Sequence, residues 1–244
     1  MGKREQKEPL LRNKGGNKIS RLARGKLTIW ISIFFLALLS SCATLEHLLY
    51  IYDPLNFHSV KEEVLYRSAQ PSGRDLRRMV QEYHIRSVIN LRGSHPGESW
   101  YDIEKAVSDE LGLKRVDIGM SAVRLPHRDD LIRLLDAFQE LPRPILVHCK
   151  AGADRTGEAS AIFAMDHLKW SRRKAVGQLH PFYGHFPDFT PAKTYFIREV
   201  YLGEDWARNT YDPCRQDYEY YDKEQYCGIP SEARGYSMEV DDER

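Results

Sequence analysis

The sequence predicts an α/β fold, a mostly parallel central sheet flanked by helices on both faces, and three observations predict it. Ile145-Leu146-Val147 is a short apolar run, rich in β-branched residues and bounded by Pro142 and Pro144, the pattern of a strand buried on both sides. Short strands of this kind alternate with amphipathic helical stretches between residues 64 and 166, joined by short loops, as helices packed over parallel strands require. The run at 145 also passes through a tight loop straight into a helix, and active sites in such sheets gather at the carboxyl ends of strands.

Taken in order, Val64-Leu65-Tyr66-Arg67 reads as the first strand, followed by a turn over Ser68–Gly73. From Arg74 to Tyr83, the residues Leu76, Met79, Val80 and Tyr83 fall at i, i+3, i+4 and i+7, which gives a helix one buried stripe. Ser87–Leu91 is the second strand and 92–99 a loop. Tyr101–Leu111 is a helix closed by Gly112 as its C-terminal cap. Lys114–Ile118 is the third strand and Met120–His127 a loop. Asp129–Leu141 is the clearest helix: Leu131, Leu134, Leu135 and Phe138 mark its buried face, and Asp129 or Asp130 sits at its positive end. After the strand at 145, a helix opens at Arg155-Thr156-Gly157 and carries Ile162, Phe163 and Met165. Ser171–Leu179 reads as a short helix, and His180–Phe186 as an aromatic loop. Thr190 and Pro191 cap and begin a final helix with apolar Phe196, Ile197, Val200 and Tyr201. From Gly203 the chain is polar, rich in tyrosine and acid, and without helical or strand period, so it reads as an exposed tail.

The chemistry concentrates in residues 144–157, PILVHCKAGADRTG. A strand, a tight loop and a helix start bring backbone N–H groups and the positive helix end to one place, a ready site for an anion. Cys149 heads that loop and Arg155 closes it. A thiol beside a helix N-terminus and cations is pushed towards the thiolate, so Cys149 is expected to be a charged nucleophile. The planar fork of Arg155 suits two phosphoryl oxygens, Gly152 lets backbone approach closely, and Thr156 can hydrogen-bond a departing sulfur.

His148-Cys149-Lys150-Ala151-Gly152-Ala153-Asp154-Arg155-Thr156-Gly157, an H-C-x5-R-T-G pattern, resembles the phosphate-binding loop of the cysteine-dependent tyrosine and dual-specificity phosphatases, in their bacterial dual-specificity-like branch. Leu65–Pro71, LYRSAQP, is similar to the opening segment of bacterial members of that group, where the arginine packs or pairs near the loop. The resemblance covers residues 64–202. It implies a dual-specificity-phosphatase-like fold and hydrolysis of phosphate monoesters through a cysteinyl-phosphate, with phosphotyrosine or dual-specificity protein substrates first and a phosphoinositide or other small phosphate ester as the alternative. Lys150, Ala151, Gly152, Ala153, Asp154 and Arg155 would then bind the phosphoryl group, while His148 orients the loop. Neither a metal nor a cofactor is called for, because loop and guanidinium already neutralise the phosphoryl charge.

The general acid departs from the pattern. Members of the group supply an aspartate from a separate loop well before the cysteine, and here that loop, Met120–Pro126, holds no carboxylate. Asp154 is one candidate, placed as in myotubularins and certain bacterial phosphatases that accept phosphoinositides; Asp117 or a residue of 120–130 is the other. The missing loop aspartate also raises a reading from a different class, a catalytically silent phosphate-binding module. Against it, a pure binder has no use for a nucleophile. His180 and His185 lack any partner at metal-ligand spacing and read as loop or pocket-wall residues.

Formal charge is +1, but residues 1–26 carry nine Lys or Arg and two Glu, which leaves the rest at −6. No basic stripe interleaved with aromatics points to nucleic acid. Leu27–Leu39 is uncharged, short for a spanning helix and suited to a signal-peptide core. Leu39-Ser40-Ser41-Cys42-Ala43 looks like the lipobox of bacterial lipoproteins, with Cys42 lipidated; the alternative is an uncleaved single-span anchor over 27–45. Either way the body would be extracytoplasmic and membrane-tethered. The organisation expected is a basic and apolar leader at 1–45, a linker at 46–60, the catalytic domain at 61–202 and the tail at 203–244. Export leaves Cys214 and Cys227 available for a disulfide.

Overall fold

A computed structural model describes residues 55–228. The basic leader, the apolar run and Cys42 lie outside them. Five strands form one sheet: β1 (His58–Lys61), β2 (Leu65–Ser68), β3 (Ser87–Asn90), β4 (Lys114–Asp117) and β5 (Ile145–His148), in the order β1-β2-β5-β3-β4. All neighbours are parallel except the edge hairpin of β1 with β2. In this order β5 lies between β2 and β3, in register with Leu65 and Ser87 at Ile145 and with Ser68 and Asn90 at His148. Cys149 therefore leaves the sheet at its carboxyl edge, at the middle strand.

Helices α1 (Gly73–Tyr83) and α2 (Ser99–Glu110) follow β2 and β3, and α3 (Arg128–Glu140) follows β4. Next come α4 (Asp154–Asp166), α5 (Arg172–Ala175), α6 (Pro191–Tyr195), α7 (Glu204–Asn209) and α8 (Lys223–Tyr226). Side chains alternate across each strand. Leu65, Ile89, Ile145 and Val147 thus join Leu131, Leu134 and Phe138 of α3 and Ile162 and Phe163 of α4 in the larger core. Tyr66, Val88 and Leu146 face the smaller one, with Leu76 and Met79 of α1 and Val107 of α2. Ser72 and Asp75 close a reciprocal capping box at the start of α1. Gly112, in the left-handed region, follows α2.

Two boundaries differ from the sequence reading. The stretch that reads as linker ends in β1, an edge strand too short to display a period and with Val60 alone buried. The stretch from Gly203 that reads as exposed tail contains α7 and α8, and packs on the body as far as it is described. Tyr211 is fully buried and donates to the Pro126 carbonyl at 2.7 Å; Tyr218, Tyr220 and Tyr221 pack against the same core. A tyrosine buries its ring and keeps a polar tip, so such a segment attaches itself without an apolar repeat. Cys214 and Cys227 are joined by a disulfide, with Cα atoms 5.6 Å apart.

Candidate active site

The loop from Cys149 to Arg155 is shaped from outside. Three successive carbonyls are each taken by a donor from another part of the chain. Gln70 N–H donates to Lys150 O at 3.1 Å, Asn56 Nδ2 to Ala151 O at 3.0 Å and Arg67 Nη2 to Gly152 O at 2.7 Å. Because N–H and C=O point in opposite directions across a planar peptide, carbonyls drawn outward turn the loop's N–H groups inward. Gly152 is required where it stands. Its φ is +70°, and a Cβ there would lie 2.6 Å from the Ala69 nitrogen. Gly157 is required for packing: a Cβ there would lie 2.8 Å from the Gln178 carbonyl oxygen and 2.7 Å from Leu179 Cδ2.

Arg67 is the charged donor of the three. It is wholly buried, donates from Nη1 to both oxygens of Gln178, and lies with its guanidinium carbon 4.0 Å over the Tyr183 ring. Burial lowers it to about 10, with Tyr183 and Cys149 pulling it back up, so a full positive charge stands near the thiol at neutral pH. Cys149 itself is buried and unbonded to other sulfurs, at 2% exposure. Arg155 is buried in the first turn of α4 and reaches the Met120 carbonyl at 3.4 Å. Thr156 is fully buried beside it; its hydroxyl has no hydrogen-bond partner among the described residues.

His148 is fixed by a buried carboxylate. Its Nε2 lies 3.1 Å from Glu104 of α2, which also accepts from Gln70 and, at 3.1 Å, from Arg115 Nε. Burial alone would raise the Glu104 carboxyl, but His148, Arg115 and Gln70 outweigh it and hold it at about 2. The same Arg115 pairs with Asp117. The Asp117 carboxylate also accepts from Asn90 at 2.9 Å and from the Tyr101 hydroxyl at 2.9 Å. Asp117 thus joins the ends of β3 and β4 to α2, and both of its oxygens are occupied.

Asp154 is in a different situation. Oδ1 lies 2.6 Å from Nδ1 of the fully buried His185 and accepts from the Thr190 hydroxyl at 2.6 Å. Burial would raise this carboxyl, yet the hydrogen bonds from His185 and Thr190, with the charges of His185 and Lys193, hold it below its ordinary value. His185 Nε2 lies 2.8 Å from the Thr194 hydroxyl. Deeper still, Lys193 pairs with Glu158 at 2.8 Å and donates to the Arg124 carbonyl at 2.6 Å; burial pushes Glu158 up to about 7 in spite of that lysine. The structure brings Cys149, Asp154 and Arg155 to one loop and leaves Asp117 in a separate ion-pair network. Lys150 is exposed on the loop.

Sequence reasoning did not single out Asn56, Glu104 or Thr190 for the site, and read His185 only as a loop or pocket-wall residue. Asn56 lies in a stretch without pattern, and Glu104 reads as one more polar residue of an amphipathic helix. Thr190 has the identity of an N-cap, but its hydroxyl goes to Asp154 and makes no cap bond.

In fold and in loop chemistry this is a cysteine-dependent phosphatase. Residues 53–178, just over half of the chain, match the model of a family described as DSP-PTPase phosphatase fused to NAD+ kinase. The chain belongs to that family, and with it to the cysteine-dependent protein tyrosine phosphatase superfamily. Mouse phosphatidylglycerophosphatase and protein-tyrosine phosphatase 1 is 24% identical over 153 residues, 59% of this chain and 76% of the relative. Its human counterpart is 27% identical over 127 residues, 49% of this chain and 61% of the relative. Among solved structures, the core catalytic domain of the PP-IP phosphatase SIW14 from S. cerevisiae shares the fold: TM-score 0.50, 24% identity, covering 61% of this chain and 87% of that one. P. aeruginosa TpbA gives a TM-score of 0.49 at 22% identity, covering 64% and 91%.

Proposed function

We propose that the chain hydrolyses phosphate monoesters of proteins, phosphotyrosine first and with dual specificity, by two in-line displacements at Cys149. The observation that supports it is the loop itself, a buried cysteine and arginine closing a cup whose carbonyls are pulled outward. The Cys149 sulfur attacks phosphorus as the ester P–O bond breaks, and the leaving oxygen takes a proton from an acid. Water then attacks phosphorus, its proton goes to the conjugate base of that acid, and the S–P bond breaks to restore the thiolate. Arg155 and the loop N–H groups hold the equatorial oxygens through both steps; one such contact is worth about 3–4 kcal/mol in the transition state. The Thr156 hydroxyl faces no competing partner and is assigned to the departing sulfur.

Asp154 is assigned as the acid, with His185 as a positioning residue. The Asp154 carboxylate gains affinity for a proton when a phosphoryl dianion arrives beside it, because like charge disfavours its ionised form. Asp117, with both oxygens committed to Arg115, Asn90 and Tyr101, is a poor alternative. A membrane tether through the N-terminal segment, with the body outside the cytoplasm and Cys42 lipidated, completes the reading. The experiment is hydrolysis of an aryl phosphate and phosphopeptides by the full chain and by Cys149→Ser. Activity retained in Cys149→Ser would overturn the assignment. A second reading, phospholipid headgroups, is favoured by the apolar rim described next and by the lipid named in the mammalian relatives.

A further inference from the structure

Five large apolar side chains stand exposed among the described residues, and three of them lie within eight residues of one another: Phe182 (52%), Phe186 (49%) and Phe189 (82%). Ile103 and Leu202 stand elsewhere and singly, which is ordinary for a soluble surface. Clustering on one loop is not. Each phenylalanine, moreover, adjoins a residue anchored at the site. Phe182 precedes Tyr183, which stacks on Arg67; Phe186 follows His185 and Phe189 precedes Thr190, both of which contact Asp154. Neighbours in the sequence thus hold the loop against the phosphate cup while the phenylalanines remain outside.

The first described residues also lie on this side. Asn56 donates to Ala151 O of the phosphate loop at 3.0 Å and to Tyr183 O of the aromatic loop at 2.8 Å, and His58 packs against the Phe182 and Tyr183 rings. Sixteen residues separate Leu39, the last of the apolar run, from Asn56. Fully extended they reach about 55 Å, little more than the ~40 Å across a body of this size. On the membrane-tether reading proposed above, a linker of that length joined beside the cup keeps the cup within reach of a bilayer.

We propose that Phe182, Phe186 and Phe189 form a membrane-contacting edge that seats the mouth of the phosphate loop on a lipid bilayer. Aromatic side chains at a protein edge partition into the interface between headgroups and acyl chains, and three on a braced loop do so without a large ordering cost. The site then meets phosphate esters at bilayer depth, whether on lipid headgroups or on the membrane-proximal parts of proteins. The inference rests on the placement of the phosphatase site at Cys149–Arg155 and not on which ester is cleaved.

The test uses the full chain in vesicles of phosphatidylcholine and phosphatidylglycerol, with and without brominated acyl chains. Phe189→Trp should show bromine quenching beyond that of the parent tryptophans. Leu202→Trp, next to Tyr201, which bonds Asp166 at the far end of α4, should show none. Phe186→Ser with Phe189→Ser should lower turnover of a vesicle-borne phosphoinositide about tenfold, the equivalent of losing 1.4 kcal/mol of association, and leave soluble aryl phosphate turnover unchanged. Equal quenching at 189 and 202, or none at either, overturns the proposal. So does a double variant that loses activity on phosphopeptides in solution while the tryptophan at 189 is unquenched, which would make the loop a peptide-docking edge. Failure to hydrolyse any aryl phosphate would instead sink the phosphatase reading, and the quenching result would stand apart from it.

Discussion

Glu104→Gln separates a charge from a shape at the residue that fixes His148. The Glu104 carboxyl is held at about 2 against an ordinary value of 4.5. A folded-state value below the unfolded one means that the charge stabilises the fold fully above pH 4.5 and that this is lost as pH falls towards 2. The whole contribution is about 3 kcal/mol, and about 1.4 kcal/mol of it is gone at pH 3.5. Glutamine keeps the volume and an acceptor for Arg115 but carries no charge, so the variant should be less stable than the parent at pH 7, with a gap that narrows as the solution is acidified. Urea denaturation at pH 7, 5 and 3.5 reads this directly. Because His148 precedes Cys149, kcat for an aryl phosphate should fall as well. A stability gap that stays constant from pH 7 to pH 3.5 would refute the reasoning, since the charge would then be carrying none of it.

Gly152→Ala places a Cβ against the Ala69 backbone at φ +70°; left-handed strain and overpacking together should cost about 2–5 kcal/mol, read as a lowered denaturation midpoint together with lost activity. Asp154→Asn should slow an aryl ester with a poor leaving group far more than one with a good leaving group, and Asp117→Asn should slow both alike or lower stability only; the reverse pattern would move the acid to Asp117. His185→Asn, which can still place a polar atom near Asp154, should shift the acid limb of the kcat profile without a matching change in KM, whereas a merely structural role would leave the profile in place. Reducing Cys214–Cys227, which are 13 residues apart, should cost about 3 kcal/mol, seen as a lower midpoint in dithiothreitol.

The parallel sheet, the strand at 145 and the loop after it were legible because their signals are local. An apolar run bounded by prolines and a glycine before an arginine each refer to neighbours a few residues away. What surrounds the loop was not legible, because each contact joins distant positions through a residue of common type. Asn56 reaches Ala151 across 95 residues; Arg67 was placed near the loop by the family resemblance, and it pairs there with Gly152, but its second partner, Gln178, lies 111 residues away. The stretch from Gly203 was misread for a related reason. Several of its buried groups are tyrosines, which a hydropathy pattern counts as half polar, and Tyr211 is placed by partners far away in the chain such as the carbonyl of Pro126.

The surroundings of the loop have a common physical form: Arg67, His148 with Glu104, and Lys193 with Glu158 are all ionisable groups taken out of water. Each is costly to bury, and replacing such groups by apolar residues of equal volume often stabilises a protein. Stability therefore does not explain Arg67 or the Lys193–Glu158 pair, where burial outweighs the favourable contacts. Rigid placement does: a buried guanidinium between the carbonyls of Gly152 and Gln178 has one low-energy position, because moving off either oxygen leaves a charge unsatisfied in a dry interior. An Arg67→Met variant removes a buried charge but strands the Gly152 and Gln178 oxygens, so it should lose about 1–3 kcal/mol of stability while the Gly152 carbonyl is released and its peptide can turn. Activity at Cys149 should then fall by more than any change in the denaturation midpoint accounts for. A variant that lost both in proportion would show instead that the arginine holds the fold and only incidentally the loop.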